Sequence, residues 1–122
     1  MKILMKLLRN LMLLLFLCSL HWGCRKVDVP DGTPAFVKRK IREFMKKKVQ
    51  NPPASVWRYD YNGGEVYYFP PSCCDKFSDL YDENGDLLCH PDGGITGLGD
   101  GKCNDFFTKR SNELKIWQDE RK

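Results

Sequence analysis

Four cysteines in the second half of the chain are the residues most able to form covalent bonds or bind a metal: Cys73, Cys74, Cys89 and Cys103. Four cysteines allow three disulfide pairings. One of these joins the neighbours Cys73 and Cys74, which strains the bond. Side chains of adjacent residues in an extended segment point to opposite sides. We therefore expect Cys73 and Cys74 to pair with Cys89 and Cys103, in an order that the spacing leaves open.

A zinc site built from the same cysteines and His90 is the alternative. The spacing lacks the C-x-x-C knuckle that is typical of structural zinc sites. The chain also begins with a basic and then apolar segment typical of exported proteins, and an exported chain favours oxidised sulfur over thiolate ligands. Disulfides that stabilise a small domain are the simpler interpretation, because a domain of this size buries a limited apolar surface.

Segment 90–105 combines five glycines with three aspartates, Asp92, Asp100 and Asp105. Carboxylate and carbonyl oxygens are the ligands that calcium takes, so these aspartates are candidate calcium ligands. Their spacing is not that of a known calcium loop. The alternative is a tight loop, pinned by disulfides, whose aspartates bond their own backbone in Asx-turns. We expect no cofactor, with calcium as the alternative.

The sequence offers no catalytic constellation. His90 is the only histidine after residue 23, and Pro91 follows it directly. No serine or cysteine lies in a nucleophile motif. Asp75 and Asp79 are four residues apart and are more simply turn and cap residues than a carboxylate pair. We therefore expect no catalytic residue and no enzymatic activity.

Residues 1–23 have the organisation of a secretory signal peptide. Lys2, Lys6 and Arg9 precede an apolar run of ten residues, 11–20. A membrane-spanning helix needs about 20 apolar residues, so a retained membrane anchor is the less favoured alternative. Removal of 1–23 takes three of the 20 basic residues and leaves 17 against 16 acidic ones. A domain so close to neutral is not expected to bind nucleic acid.

The junction Gly23-Cys24 resembles the lipobox of bacterial lipoproteins, in which the cysteine is diacylated and becomes the first residue. His21 departs from the aliphatic residue usual at its position, which leaves ordinary cleavage, and a secreted or periplasmic protein, as the alternative. Cleavage here removes Cys18, and acylation of Cys24 leaves an even set of four cysteines. We expect a lipoprotein anchored through Cys24 to the outer or inner membrane of the cell envelope.

The remainder reads as a tether, 24–33, followed by one domain, 34–122. Apolar residues at helical spacing predict a helix over 34–49. Its other faces are basic: Lys38, Arg39, Lys40, Arg42, Lys46, Lys47 and Lys48. A solvent-exposed face is the favoured interpretation of this charge, and a helix lying on an anionic membrane surface is the alternative. A second helix is predicted over 105–119, and the polar tail 119–122 is expected to fray.

Two hairpins are predicted between the helices. Strands 56–61 and 65–69 flank Asn62-Gly63, a type I′ turn signal that places Trp57 opposite Tyr68. One face of this hairpin is aromatic, and we expect the first helix to pack on it; it comprises Trp57, Tyr59, Tyr61, Val66 and Tyr68. Strands 80–82 and 86–89 form the second hairpin. The expected fold is α+β, a small antiparallel sheet of about four strands with an N-terminal and a C-terminal helix.

Residues 51–106 resemble an uncharacterised family, a domain of unknown function found in small secreted and lipoprotein chains largely from Bacteroidota. The residues that carry the resemblance are Pro70-Pro71-Ser72-Cys73-Cys74-Asp75, Leu80-Tyr81-Asp82, Gly85, Cys89, Pro91-Asp92-Gly93-Gly94, Thr96-Gly97, Gly99-Asp100-Gly101, Cys103 and Asp105-Phe106. The resemblance implies an exported domain with paired cysteines. It implies no activity, substrate or catalytic residue.

These patterns favour an exported, lipid-anchored protein of the cell envelope that acts as a non-enzymatic binding module. Its partners would be the membrane, through the lipid, and a protein or glycan, in an oligomeric state that the sequence leaves open. Two alternatives belong to other classes. One is a secreted inhibitor that presents the 90–105 loop to an enzyme. The other is a structural lipoprotein stabilised by calcium.

Overall fold

The computed structural model describes residues 1–18 and 26–122. The elements are α1 (Lys2–Cys18), α2 (Ala35–Met45), β1 (Ser55–Tyr61), β2 (Gly64–Phe69), β3 (Asp79–Asp82), β4 (Leu87–Cys89), α3 (Phe106–Lys109) and β5 (Ser111–Gln118). Neither described range contains a helix with both the length and the apolar character needed to cross a membrane. The expected cleavage site and Cys24 lie outside the described residues.

The five strands form one antiparallel sheet in the order β4-β3-β2-β1-β5. The predicted first hairpin is confirmed, because Trp57 pairs with Tyr68 and Tyr59 with Val66. Asn62 and Gly63 both have positive φ, at 50° and 82°, as a type I′ turn requires. The second hairpin, β3–β4, is confirmed as well. The α+β class is therefore as expected, with five strands instead of about four.

The helix predicted over 34–49 is α2, and it packs on the sheet face opposite to the one that we expected. Phe36, Val37 and Ile41 of α2 are buried in one cluster with apolar residues of three strands, namely Val56, Tyr67, Phe69 and Ile116. Val27, from the segment expected to be a tether, is buried there too. The prediction that α2 covers the aromatic face is wrong because alternate residues make both faces of the β1–β2 hairpin apolar. The helix ends at Met45 and not at residue 49.

The aromatic face is covered by the segment that follows β4. Tyr59, Tyr61, Val66 and Tyr68 share a second cluster with Leu80, Cys89, Cys103 and Phe106. The Phe106 ring has no solvent exposure. Its centroid lies 5.6 Å from that of Tyr59 and 5.4 Å from that of Tyr61, in edge-to-face geometry. Cys89, Cys103 and α3 thus take the place that we expected α2 to occupy.

The predicted C-terminal helix is confined to one turn, Phe106–Lys109, and the prediction of a helix over 105–119 is wrong in extent. Arg110 has extended backbone angles, φ −63° and ψ 147°, and ends the helix. Strand β5 then pairs antiparallel with β1. Without β5, β1 would be an edge strand with a row of unpaired N–H and C=O groups. This long-range pairing outweighs the helical spacing of the apolar residues in the segment.

The C-terminal tail is pinned against α2, so the prediction that it frays is wrong. The Arg121 guanidinium donates hydrogen bonds to the carbonyl oxygens of Met45 (2.8 Å) and Phe44 (3.1 Å). It also pairs with the buried Asp119 carboxylate at 2.7 Å. The last carbonyls of a helix lack intrahelical partners, and a basic side chain satisfies them favourably. Hydrogen bonds from Arg121 lower the pKa of Asp119.

Candidate functional site

The disulfide of the described residues joins Cys89, the last residue of β4, to Cys103. Both are buried beside the aromatic face, and their Cα atoms lie 6.2 Å apart, a normal spacing. The predicted pairing of Cys73 and Cys74 with these two is therefore wrong. Cys89 stands opposite Leu80 in the β3–β4 pair and so points into the core, whereas Cys73 and Cys74 are free and exposed.

Backbone hydrogen bonds organise the loop that this disulfide closes, which we call the 90–102 loop. Gly97 N donates to Gly94 O at 3.1 Å, Gly99 N to Gly93 O at 3.1 Å, and Asp100 N to His90 O at 2.9 Å. The loop is therefore folded on itself along most of its length. Such internal bonds reduce the conformational entropy that binding would otherwise remove.

The same loop is tied to the segment before β3. Gly94 N donates to Lys76 O, and Ser78 N donates to Asp92 O, both at 3.1 Å. The Ser78 hydroxyl, which is fully buried, bonds the backbone of Asp92 as well. Gly99 has φ +71°, and a Cβ there would meet the carbonyl oxygen of His90. Glycine is thus required where the returning chain crosses the start of the loop.

The three predicted calcium ligands each have a separate protein partner. Asp92 accepts a hydrogen bond from the Tyr68 hydroxyl at 2.8 Å, and Asp100 accepts one from the Lys102 backbone at 3.0 Å. Asp105 accepts one from the Tyr61 hydroxyl at 2.6 Å and pairs with Lys109 at 2.7 Å. Within 1–18 and 26–122, no three acidic, histidine or cysteine side chains group as a metal site would require. Calcium binding by these aspartates stays a prediction.

These tyrosine–aspartate pairs join the candidate site to the sheet. Burial, followed by the hydrogen bond to Asp92, raises the pKa of Tyr68. The hydrogen bond to Asp105 raises the pKa of Tyr61, and the bond from Lys109 lowers that of Asp105. Tyr61 and Tyr68 therefore stay protonated donors around neutral pH, and Asp105 stays an ionised acceptor. Sequence analysis missed these pairs because the partners are 24 and 44 residues apart.

His90 lies at the start of the loop and contacts Asp79. Its Nδ1 is 2.9 Å from an Asp79 carboxylate oxygen and 2.7 Å from the Ser78 carbonyl oxygen. The ring stacks on Phe77, with centroids 5.2 Å apart. These residues come together only because β3 and β4 are neighbours in the sheet. Their spacing in the sequence therefore did not indicate the contact. The arrangement holds the start of the loop in position.

The tip of the loop presents two aliphatic side chains to solvent. Ile95 is 89% exposed and Leu98 is 74% exposed. Leu98 also lines an open hollow of about 680 Å³, together with Pro91, Asn104 and Phe107. Exposed apolar side chains on a preformed loop can bury their surface against a partner with a small ordering cost. Segment 90–105 stays the candidate functional site, and sequence analysis did not single out its exposed aliphatic residues.

Residues 42–119 match the model of a family described as "Domain of unknown function (DUF6970)". The match covers more than half of the chain, from within α2 to the residue after β5, and the chain therefore belongs to this family. The expected kinship with an uncharacterised domain family is confirmed at that level. No curated protein and no solved structure matches the chain. The family description states no activity.

Proposed function

We propose that this member of the DUF6970 family is an exported protein of the cell envelope, anchored by lipid at Cys24, that acts as a non-enzymatic binding module. The observation that carries the binding part is the exposure of Ile95 and Leu98 on a loop closed by the Cys89–Cys103 disulfide. Two aliphatic side chains suit an apolar pocket on a protein better than a glycan. The partner is therefore a protein of the same compartment.

Two features support the proposed compartment. The Cys89–Cys103 disulfide is of the kind that persists in oxidising environments. The N-terminal sequence has the basic and apolar regions of a signal peptide before Gly23-Cys24. If the partner is an enzyme that takes the loop into its active-site cleft, the protein is an inhibitor. This inhibitor role is the narrower version of the binding proposal.

The binding part is tested by capture from envelope extracts after cross-linking, with bound proteins measured by quantitative mass spectrometry. The double variant Ile95→Asp/Leu98→Asp is expected to lower recovery of the partner roughly tenfold or more, because buried apolar anchors commonly contribute above about 1.4 kcal/mol. The control Leu87→Asp/Leu114→Asp introduces the same charge at exposed leucines of β4 and β5. If each protein captured by the wild type is recovered equally with the loop variant, the proposal fails.

The anchor is tested by the mass of the mature N-terminus in protein extracted from membranes. We expect a chain that begins at Cys24 and carries the mass of the lipid, and replacement of Cys24 by alanine should release the protein into the soluble fraction. Once residues 1–23, which include Cys18, are removed, Cys24→Ala leaves the same four cysteines as in the acylated chain, so disulfide formation should be unchanged. A mature chain with an unmodified Cys24 would overturn the anchor and leave the binding proposal standing.

A further inference from the structure

Cys73 and Cys74 form a close pair of exposed sulfur atoms in the turn before β3. The Cys74 thiol donates a hydrogen bond to the Cys73 sulfur, and the two Sγ atoms are 2.6 Å apart. Both residues are exposed. Cys74 has φ 58°, and Lys76 N donates to Cys73 O at 3.2 Å to close the turn. The left-handed backbone at Cys74 brings both side chains to one side, where an extended segment would separate them.

This backbone conformation is unfavourable for a residue with a Cβ. Strained conformations of this kind concentrate at functional positions. Asn62 and Asn112, the other non-glycine residues with positive φ among those described, are of a type that tolerates it. Cys74 is thus held in a conformation whose clearest structural effect is to bring the two sulfur atoms together.

The pair differs chemically from the disulfide that closes the loop. Cys89 and Cys103 are buried, with a Cα–Cα distance of 6.2 Å. Consecutive Cα atoms lie about 3.8 Å apart, below the roughly 4.4–6.8 Å of ordinary disulfides. A bond between Cys73 and Cys74 would therefore be strained and easily reduced. Strained, exposed disulfides are the labile ones, whereas buried unstrained ones resist reduction.

We propose that Cys73 and Cys74 are a redox-active dithiol that exchanges reversibly with disulfides of small thiols or of other proteins, while Cys89–Cys103 stays oxidised as a structural bond. The site lies outside the 90–102 loop and does not depend on the partner of that loop. Its substrate class is a disulfide that can reach an exposed turn.

The exchange has two steps. The Cys73 thiolate attacks one sulfur of the substrate disulfide, whose S–S bond breaks and releases the first thiolate. The Cys74 thiol then loses its proton and attacks the Cys73 sulfur of the mixed disulfide, which releases the second thiolate. Two electrons pass from the pair to the substrate, and the two protons end on the released thiols. The hydrogen bond to Cys73 raises the pKa of Cys74, which makes Cys74 the poorer first nucleophile.

The test uses the whole exported protein, equilibrated with mixtures of glutathione and glutathione disulfide and then alkylated. Trypsin separates the two pairs, because cleavage after Arg58, Lys76, Lys102 and Lys109 places them on different peptides. Cys73 and Cys74 lie together on 59–76, Cys89 on 77–102 and Cys103 on 103–109. Peptide 59–76 should lose both alkyl groups as the mixture becomes oxidising, because its two sulfur atoms then bond to each other, and should regain them on reduction. Peptides 77–102 and 103–109 should stay linked throughout.

Single variants identify the resolving step. In Cys73→Ser and Cys74→Ser the second attack is impossible, so each variant should accumulate a mixed disulfide with glutathione that the wild type does not retain. Three outcomes would overturn the proposal: peptide 59–76 linked to either of the other two peptides, a disulfide between two chains, or both cysteines alkylated in the most oxidising mixture.

Discussion

Replacing Phe106 by alanine is expected to lower the free energy of unfolding by about 3–5 kcal/mol, the range for removing a buried phenylalanine. The ring has no solvent exposure and lies between the aromatic residues of the sheet, with centroids 5.4 to 5.6 Å from Tyr61, Tyr59 and Tyr68. Loss of this ring leaves a cavity that the rigid sheet cannot close. Thermal and urea unfolding measure the effect, and the melting temperature of so small a domain should fall by more than about 10 °C.

The adjacent residue provides a matched control. Phe107 lies in the same helical turn, but it is 41% exposed and contacts the cluster from its edge, with ring centroids 5.0 Å from Phe106 and 5.8 Å from Tyr68. Phe107→Ala should cost less than half as much as Phe106→Ala. If the two substitutions had equal effects, α3 would not be the element that covers the aromatic face. The expectation from the sequence, that α2 covers it, would then stand again.

The first hairpin was predictable because its determinants are local. Asn62-Gly63 specifies the turn through the positive φ values of two residues. The turn then sets the register that pairs Trp57 with Tyr68. The existence of α2 follows in the same way from apolar spacing within one segment. Both elements are defined by interactions between residues near in sequence, which a pattern can show.

The face that α2 covers and the strand β5 were not predictable from such patterns. Alternation in β1 and β2 shows two apolar faces, with Tyr67 on one and Tyr68 on the other, and does not say which of them a helix contacts. The segment 111–118 carries apolar residues at helical spacing, yet the open edge of β1 recruits it as a strand. In each case a contact between distant segments outweighs a local preference.

At the candidate site, sequence analysis located the loop but mispaired its cysteines. We expected the side chains of Cys73 and Cys74 to point to opposite sides, as they do in an extended backbone. The left-handed conformation of Cys74 removes that premise. The pairing of Cys89 with Cys103 depends on both facing the aromatic cluster, which only the register of β3 with β4 and the position of α3 define.

Removing the Cys89–Cys103 disulfide is the second substitution for which we expect a large effect. The double variant Cys89→Ser/Cys103→Ser should lower the free energy of unfolding by about 3 kcal/mol, because the bond closes a loop of 14 residues in sequence separation. Two hydroxyl groups would also be placed in an apolar cluster. Urea unfolding of the oxidised proteins measures the loss. The matched control, Cys73→Ser/Cys74→Ser, changes exposed residues and should alter stability by less than about 1 kcal/mol.

The comparison separates the two possible cysteine frameworks. If Cys73 and Cys74 were bonded to Cys89 and Cys103, both double variants would break the same two bonds and lose similar stability. With one buried bond, only the first variant is strongly affected, and its loss should be largest locally. The amides of Gly97, Gly99 and Asp100, which donate the internal hydrogen bonds of the loop, should show the largest acceleration of exchange with solvent. Those of the β1–β2 hairpin should exchange faster only by the amount that the lower free energy of global unfolding allows. Unchanged exchange at these three amides would mean that hydrogen bonds alone hold the loop.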